Sequence, residues 1–268
     1  MRIGVIGIGF VGNAMVQSFM KKNIDTVSFD TFKKIGNYEN CLTTDILFLC
    51  LPTLFDETTL EYDKSAILET CEKLQQSNYS GTIVIKSTVE PFTTETISSN
   101  YPLLQLVHNP EFLTARTAEE DFHKQEHIVL GFSSRCHDKT KMELKKFYST
   151  FYPNSVISLC SSTESESMKI FCNTYYSVKI QFFTELYLLC QKMECDYDRV
   201  KELMLKNKWI NPMHTTIPGP DGMLSYGGYC FPKDTNALCE FMKRMATPRD
   251  VLKNVIEERN SMRPEQFF

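Results

Sequence analysis

The sequence predicts an α/β fold: a doubly wound parallel sheet followed by an all-helical central domain. Three observations lead there. Apolar runs of strand length alternate with amphipathic segments through the first half of the chain. A glycine-rich turn, Gly7-Ile8-Gly9-Phe10-Val11-Gly12, joins the first such run to a helix-like segment. From Ser161 onward the strand-like runs stop and the pattern becomes helical. The domains are therefore placed at residues 1–160 and 161–268.

Composition narrows the function. The 268 residues are 42% hydrophobic, enough for a proper core, and the net charge is only −4. No basic stripe appears, so no nucleic-acid partner is expected. No apolar run has the length of a membrane span, so no membrane partner is expected either. The run from Ile3 to Val11 is broken by glycines and lacks a small-residue cleavage site, so it does not read as a signal peptide. The ten cysteines show no CxxC pair and no Cys/His zinc spacing, so no metal site is expected. Cys50, Cys172 and Cys190 sit in apolar runs and read as small hydrophobes in a reduced compartment, which points to the cytoplasm.

The first strand spans Arg2 to Gly7 and feeds the G-x-G-x-x-G turn and a helix to about Lys22. The second, Thr26 to Phe29, ends in Asp30. Glycines that admit a pyrophosphate, a helix N-terminus that attracts its charge and an acid that accepts ribose hydroxyls make a Rossmann-like dinucleotide site. Asp30 would repel a 2′-phosphate, so the expected cofactor is NAD. Ile46 to Leu51 is a third strand ending in Pro52-Thr53, and Lys64 to Gln76 is helix-like. Thr82 to Ile85 is a fourth, ending in Lys86-Ser87-Thr88-Val89. Leu103 to Val107 is a fifth, ending in His108-Asn109-Pro110-Glu111, and His127 to Leu130 is a sixth. Ligands of such sheets gather at the carboxyl ends of strands, where Pro52, Thr53, Ser87, Thr88, Asn109 and Glu111 fall. His108 stands apart from the other histidines and reads as a hydrogen-bonded structural residue. Asp138 to Phe147 reads as a charged, solvated helix.

The second half opens on Ser161-Ser162-Thr163-Glu164-Ser165-Glu166, which supplies helix N-caps. A long helix from about Glu164 to Glu194 follows. Lys169 and Asn173, four apart, share one of its faces. Asparagine is a poor mid-helix choice, so Asn173 among Ile170, Phe171, Cys172, Tyr175 and Tyr176 suggests a specific task. Glu185 stands in an apolar stretch and reads as a buried hydrogen-bonding partner. Asp198 to Lys206 is a short helix, Asn207 to Tyr229 a long loop, and Thr235 to Met245 and Pro248 to Asn260 two more helices. Val251, Leu252, Val255 and Ile256 on the last of these form an apolar face that predicts self-association, as a homodimer through the helical domain.

The loop delivers Gly227-Gly228-Tyr229-Cys230-Phe231-Pro232-Lys233-Asp234. Two glycines let a backbone approach a ligand, a lysine near a thiol favours the thiolate, and an aspartate close by can orient water. By itself the stretch is also compatible with a structural cysteine on a glycine turn.

Taken in order, the G-x-G-x-x-G, Pro52-Thr53, Ser87-Thr88-Val89, Asn109-Pro110-Glu111-Phe112-Leu113, Lys169-x-x-x-Asn173 and the Gly227 to Asp234 stretch resemble the UDP-glucose and GDP-mannose dehydrogenases. The resemblance covers essentially the whole chain. It implies NAD-dependent oxidation of a nucleotide-sugar C6 alcohol to the carboxylate, with UDP-glucose as the expected substrate. It implies Cys230 as the nucleophile, Lys169 and Asn173 as stabilisers of oxyanion and water, and Asp234 as activator of the hydrolytic water. Glu111 would lie near the reacting hydroxyl, and Thr88 near the nicotinamide. Phe112, Leu113, Tyr226, Gly227 and Gly228 would line the sugar. Ala115 and Arg116 stand where the family usually has a glutamate and a glycine, and Tyr226 replaces its usual phenylalanine. Members continue into a third, nucleotide-gripping domain that this sequence does not include. A single-step β-hydroxyacid dehydrogenase and a non-catalytic NAD-binding subunit are the competing readings; neither explains Cys230 with Lys233 and Asp234.

Overall fold

The computed structural model describes residues 1–114 and 116–263. Ala115, one of the two departures noted above, lies outside the described residues. The chain divides into two compact units, one of residues 1–53 and 62–169, the other of residues 54–61 and 170–268.

In chain order the elements are β1 (Ile3–Ile6), α1 (Phe10–Lys21), β2 (Thr26–Phe29), α2 (Tyr38–Cys41), β3 (Ile46–Leu49), β4 (Phe55–Asp56), β5 (Glu61–Tyr62), α3 (Ser65–Gln76), β6 (Thr82–Ile85), α4 (Thr93–Asn100), β7 (Gln105–His108), α5 (Ala118–His123), β8 (His127–Phe132), α6 (Asp138–Phe151), β9 (Val156–Ser161), α7 (Ser162–Lys192), α8 (Tyr197–Leu205), α9 (Phe231–Arg244) and α10 (Asp250–Met262). Strands β4 and β5 make a separate two-stranded ribbon.

The first unit is built on a seven-stranded sheet of order β2-β1-β3-β6-β7-β8-β9. Successive residues of its strands face opposite sides, and both sides are apolar. Ile3, Val5, Ile46, Phe48, Val84 and Val107 pack with Met15 and Phe19 of α1 and with Leu144, Phe147 and Tyr148 of α6. Ile6, Leu47, Leu49, Ile83, Ile85 and Leu106 pack with Ile67, Cys71 and Leu74 of α3 on the other side. Helices on both faces are the doubly wound arrangement that the sequence predicts.

Two features of the sheet differ from expectation. It is mixed rather than parallel: β8 runs antiparallel to β7, pairing Val107 with Phe132 and His108 with Gly131. A buried apolar run reads the same in either direction, so its sequence does not reveal strand polarity. A seventh strand, β9, pairs parallel with β8 along its whole length. Its apolar residues are interrupted by Ser158 and Ser161 at a half-exposed sheet edge, and α7 follows at once without a turn signal.

The second unit is helical. Its strand residues are β4 and Glu61 of β5, and residues 206–230 form neither helix nor strand. Its apolar cluster joins Phe183 and Cys190 of α7 to Tyr197 of α8 and Ile217 of the long loop. Glu185 corrects an expectation: it is exposed, on a face of α7 that also shows Phe171, Tyr175, Phe182 and Leu189. Its carboxyl pKa is raised, first by partial desolvation and then by a hydrogen bond and repulsion from Glu258. The apolar face expected on the last helix is largely covered. Leu252 is buried, Val255 and Ile256 are half-buried, and only Val251 is exposed.

Candidate active site

The dinucleotide end of the first unit is built from glycine packing. A Cβ on Gly12 would stand 1.9 Å from the Gly7 carbonyl oxygen, so helix α1 can lie this close to β1 only without one. A Cβ on Gly9 would meet nothing within 4 Å, so the backbone there is open to an approaching group. Gly9 is also the residue that precedes α1, beside amides from Phe10 and Val11 that have no earlier turn to bond. At the end of β2, Asp30 accepts from the Ile8 amide at 2.7 Å and the Lys33 amide at 2.8 Å. Burial pushes its pKa up, but the amides of Lys33, Ile8 and Phe32 and the Lys33 ammonium outweigh that and leave it lowered. The Lys33 Nζ donates to the Ile8 carbonyl at 2.5 Å. An open glycine at a helix N-terminus, with an ionised carboxylate at the next strand end, fits NAD.

The neighbouring strand ends are tied together. Thr53 donates to the Thr88 carbonyl at 2.8 Å, and Ser87 donates to the Leu51 carbonyl at 2.6 Å. Pro52, Thr53, Ser87 and Thr88 thus form one rim, as the shared strand-end position predicts.

A charged cluster occupies the end of β7. Lys169 donates to the Glu111 carbonyl at 2.6 Å and lies 3.0 Å from its carboxylate, with both side chains nearly buried. Glu111 also accepts from the Leu113 amide at 2.6 Å. Phe112 stacks flat on His127, and the Lys169 ammonium lies 5.5 Å from the Phe112 ring centre. Beneath this, buried Lys86 donates to Asn109 Oδ1 at 2.9 Å and to the Pro110 carbonyl at 3.1 Å. Asn109 donates in turn to the Val129 carbonyl and accepts from Tyr148. Burial pushes the Lys86 pKa down to about 8, against the opposing pull of Cys50 and Glu111. The segment that carries Glu111 is therefore held by two lysines. Asn109 is one of the strand-end residues that the sequence predicts at the ligand site, whereas Lys86 is not. The signal was visible: a lysine closing an otherwise apolar buried strand needs partners.

His108 has the structural role expected. It is fully buried, with Nδ1 2.8 Å from the Ser165 hydroxyl and Nε2 3.3 Å from the Ser87 carbonyl. The carbonyl requires Nε2 to donate, so Nδ1 accepts from Ser165. Burial pushes its pKa down to about 3, and the ring is neutral.

In the second unit α9 begins at Phe231, so Cys230 is its N-cap residue and Pro232 lies in its first turn. The sequence predicts this helix from Thr235, but Phe231, Pro232, Lys233 and Asp234 form its first turn. The Cys230 thiol is exposed, whereas Asp234, one turn on, is fully buried. Asp234 accepts from Asn173 Nδ2 at 2.6 Å and from Lys233 Nζ at 2.6 Å. Thr235 donates to Ser177, so α9 seats on α7 through two polar pairs. Gly228 has φ +77, a conformation that favours glycine, and Tyr226 is buried. The first unit thus brings Lys169 together with Glu111 and Phe112, and the second brings Asn173 together with Asp234. Lys169 and Asn173 lie one turn apart on α7, as their spacing predicts.

The fold and these groups define a dinucleotide-binding protein with a thiol-bearing helical unit. Residues 19–152 match the NAD binding domain of the UDP-glucose/GDP-mannose dehydrogenase family, and residues 163–261 match that family's central domain. The chain belongs to this family. It is 26% identical to a UDP-glucose 6-dehydrogenase of Campylobacter jejuni, covering 96% of this chain and 71% of that relative. A UDP-glucose 6-dehydrogenase of Pseudomonas aeruginosa is 27% identical, with 94% of this chain and 56% of the relative covered. The fold is shared with a UDP-glucose dehydrogenase from Pyrobaculum islandicum, at a TM-score of 0.85 and 22% identity over 97% of this chain and 68% of that one.

Proposed function

We propose that this chain is an oxidoreductase that uses NAD to convert the C6 alcohol of a nucleotide sugar, UDP-glucose first among them, to the uronic acid. The observation that carries the reading is in the second unit: an exposed cysteine stands at the N-cap position of a helix, and a buried aspartate one turn on is held by Asn173 and Lys233. A helix N-terminus favours negative charge at that thiol. Gly7, Ile8, Gly9, Phe10, Val11, Gly12, Asp30, Pro52, Thr53, Ser87 and Thr88 hold NAD, which supplies the hydride acceptor.

The chain's own groups divide the remaining work. The Cys230 thiolate forms a bond to the carbonyl carbon of the aldehyde, giving a hemithioacetal. After the second oxidation the sugar is held as a thioester. Water cleaves the carbon–sulfur bond, releasing the acid and restoring the thiol; a hard step is thereby divided into easier ones. Lys169 and Asn173 donate to oxygens that develop negative charge. Asp234 orients the water and Glu111 accepts a proton from the hydroxyl. Phe112, Leu113, Tyr226, Gly227 and Gly228 contact the sugar.

Two subsidiary readings accompany it. The chain self-associates as a homodimer through the helical unit, and what supports this is the exposed row Phe171, Tyr175, Phe182 and Leu189 on α7. It works in the cytoplasm, supported by ten cysteines of which none forms a disulfide among the described residues. Among the described residues no helix is long and apolar enough to cross a membrane.

The test is a count of NADH released per sugar consumed across a panel of nucleotide sugars. The reading expects two NADH and a uronic acid from one of them. One NADH with a free aldehyde or ketone would point instead to a single-step dehydrogenase, and binding of NAD without turnover to a non-catalytic subunit.

A further inference from the structure

The last limb of the long loop, from Gly219 to Tyr229, contains no helix or strand, yet it delivers Cys230. Two buried arginines at the end of α10 grip it. Residues 219–223 close on themselves: the Gly219 amide donates to the Met223 carbonyl and the Gly222 amide to the Gly219 carbonyl, each at 2.9 Å. The Met223 amide donates to Asp221 Oδ1 at 3.0 Å. Asp221 Oδ2 then accepts from Arg263 Nη2 at 2.6 Å, and Arg263 Nη1 donates to the Ser225 carbonyl at 3.3 Å. Arg259 Nε donates to the next carbonyl, Tyr226, at 3.3 Å, and its Nη1 to the Arg263 carbonyl at 3.1 Å. The Arg263 guanidinium lies against Gly227 so closely that a Cβ there would stand 2.5 Å from its Cζ. From the other side, α7 holds Ser225 through Gln181 and Thr184.

Two guanidinium groups with exposures of 2% and 5% are costly to bury unless every donor is used well. Here they contact Asp221, Ser225, Tyr226 and Gly227, the residues just upstream of the glycine pair and the thiol.

We propose that the Arg263–Asp221 pair, backed by Arg259, is a positioning device for the nucleophile: it sets the Gly227–Gly228 turn and thereby the place of the Cys230 thiol at the head of α9. The proposal rests on the reading of Cys230 as nucleophile, so its test uses neither NAD nor sugar. The rate of alkylation of Cys230 by iodoacetamide is measured by peptide mass mapping, with exposed Cys195 as the internal reference. The variants are Arg263→Gln, Arg263→Lys and Asp221→Asn. A fourth, Gly227→Ala, drives a methyl into the guanidinium, and a fifth, Gly227→Ala with Arg263→Ala, gives that methyl room.

The expected result is a Cys230:Cys195 rate ratio that falls about threefold to tenfold in Arg263→Gln and Gly227→Ala, the scale of a charge interaction at a helix terminus. Arg263→Lys, which keeps the charge, falls less, and the double variant recovers part of the loss of Gly227→Ala. A ratio that stays constant while Tm drops would overturn the proposal and leave the arginines as a staple of the fold. So would a double variant whose losses simply add. If the ratio moves as expected while the native chain releases no NADH from any sugar, the positioning claim stands and the proposed chemistry falls.

Discussion

Replacing Glu166 by glutamine removes a pH dependence of stability that the native carboxyl imposes. Glu166 lies in the first unit, near the start of α7, with no exposed surface. Its Oε1 accepts from the Thr94 amide at 2.7 Å and the Thr94 hydroxyl at 2.6 Å, so it caps the N-terminus of α4. Its Oε2 has no hydrogen bond of ordinary geometry. Burial raises its pKa from 4.5 to about 7, against the lowering effect of the Thr94 and Phe92 donors. A carboxyl whose folded pKa is raised favours folding while protonated, so the stability is fully present below pH 4.5 and is lost as pH rises through 7. The difference corresponds to about 3 kcal/mol. Glutamine keeps the oxygen that accepts from Thr94 and never ionises. Urea unfolding of both proteins from pH 4.5 to 8 isolates the effect, because every other titration cancels in their difference. The variant is expected to gain on the native protein steadily between those limits, by up to about 3 kcal/mol at pH 8. A constant difference, or a native protein that gains on the variant as pH rises, would refute the burial argument.

Three further outcomes follow from the geometry. Gly9→Ala leaves Tm essentially unchanged, because nothing lies within 4 Å of its new Cβ, yet weakens NAD binding in calorimetry; Gly12→Ala lowers Tm, because its Cβ would meet a carbonyl at 1.9 Å. NAD binds more tightly than NADP and Asp30→Ala narrows the gap, since the lowered pKa keeps Asp30 charged against a 2′-phosphate; tighter NADP binding by the native chain would contradict this despite the nearby Lys33. Phe182→Lys, on the exposed face of α7, shifts sedimentation toward the monomer with Tm preserved, whereas Val251→Lys on α10 does so less.

Much of the site was legible because it depends on backbone-level rules. The glycine turn, the acid at the end of β2 and the strand-end Thr53, Ser87 and Thr88 each follow from where a doubly wound sheet binds ligands. The Lys169–Asn173 spacing survived because a helix preserves four-residue neighbours. What escaped depends on partners far apart in sequence. Lys86 matters through Asn109, 23 positions away. Arg263 matters through Asp221, 42 positions apart, and nothing in either segment announces the other. Glu185 was misplaced for a related reason: a helix with apolar residues on several faces does not declare which face is inward. The antiparallel β8 was hidden because the direction of a buried strand leaves no trace in its hydrophobicity.

The central claim is that Cys230 carries the sugar between two oxidations. The most direct measurement is intact mass of the Cys230→Ser chain after incubation with NAD and UDP-glucose, run beside product analysis of the native and Cys230→Ala proteins. The account predicts two NADH per sugar and no free aldehyde from the native chain, and no uronic acid from Cys230→Ala. It also predicts that Cys230→Ser gains the mass of a slowly released sugar ester or stalls before the acid, because an alkoxide leaves less readily than a thiolate. Uronic acid formed by Cys230→Ala at an undiminished rate would contradict it and return Cys230 to the role of a structural cysteine.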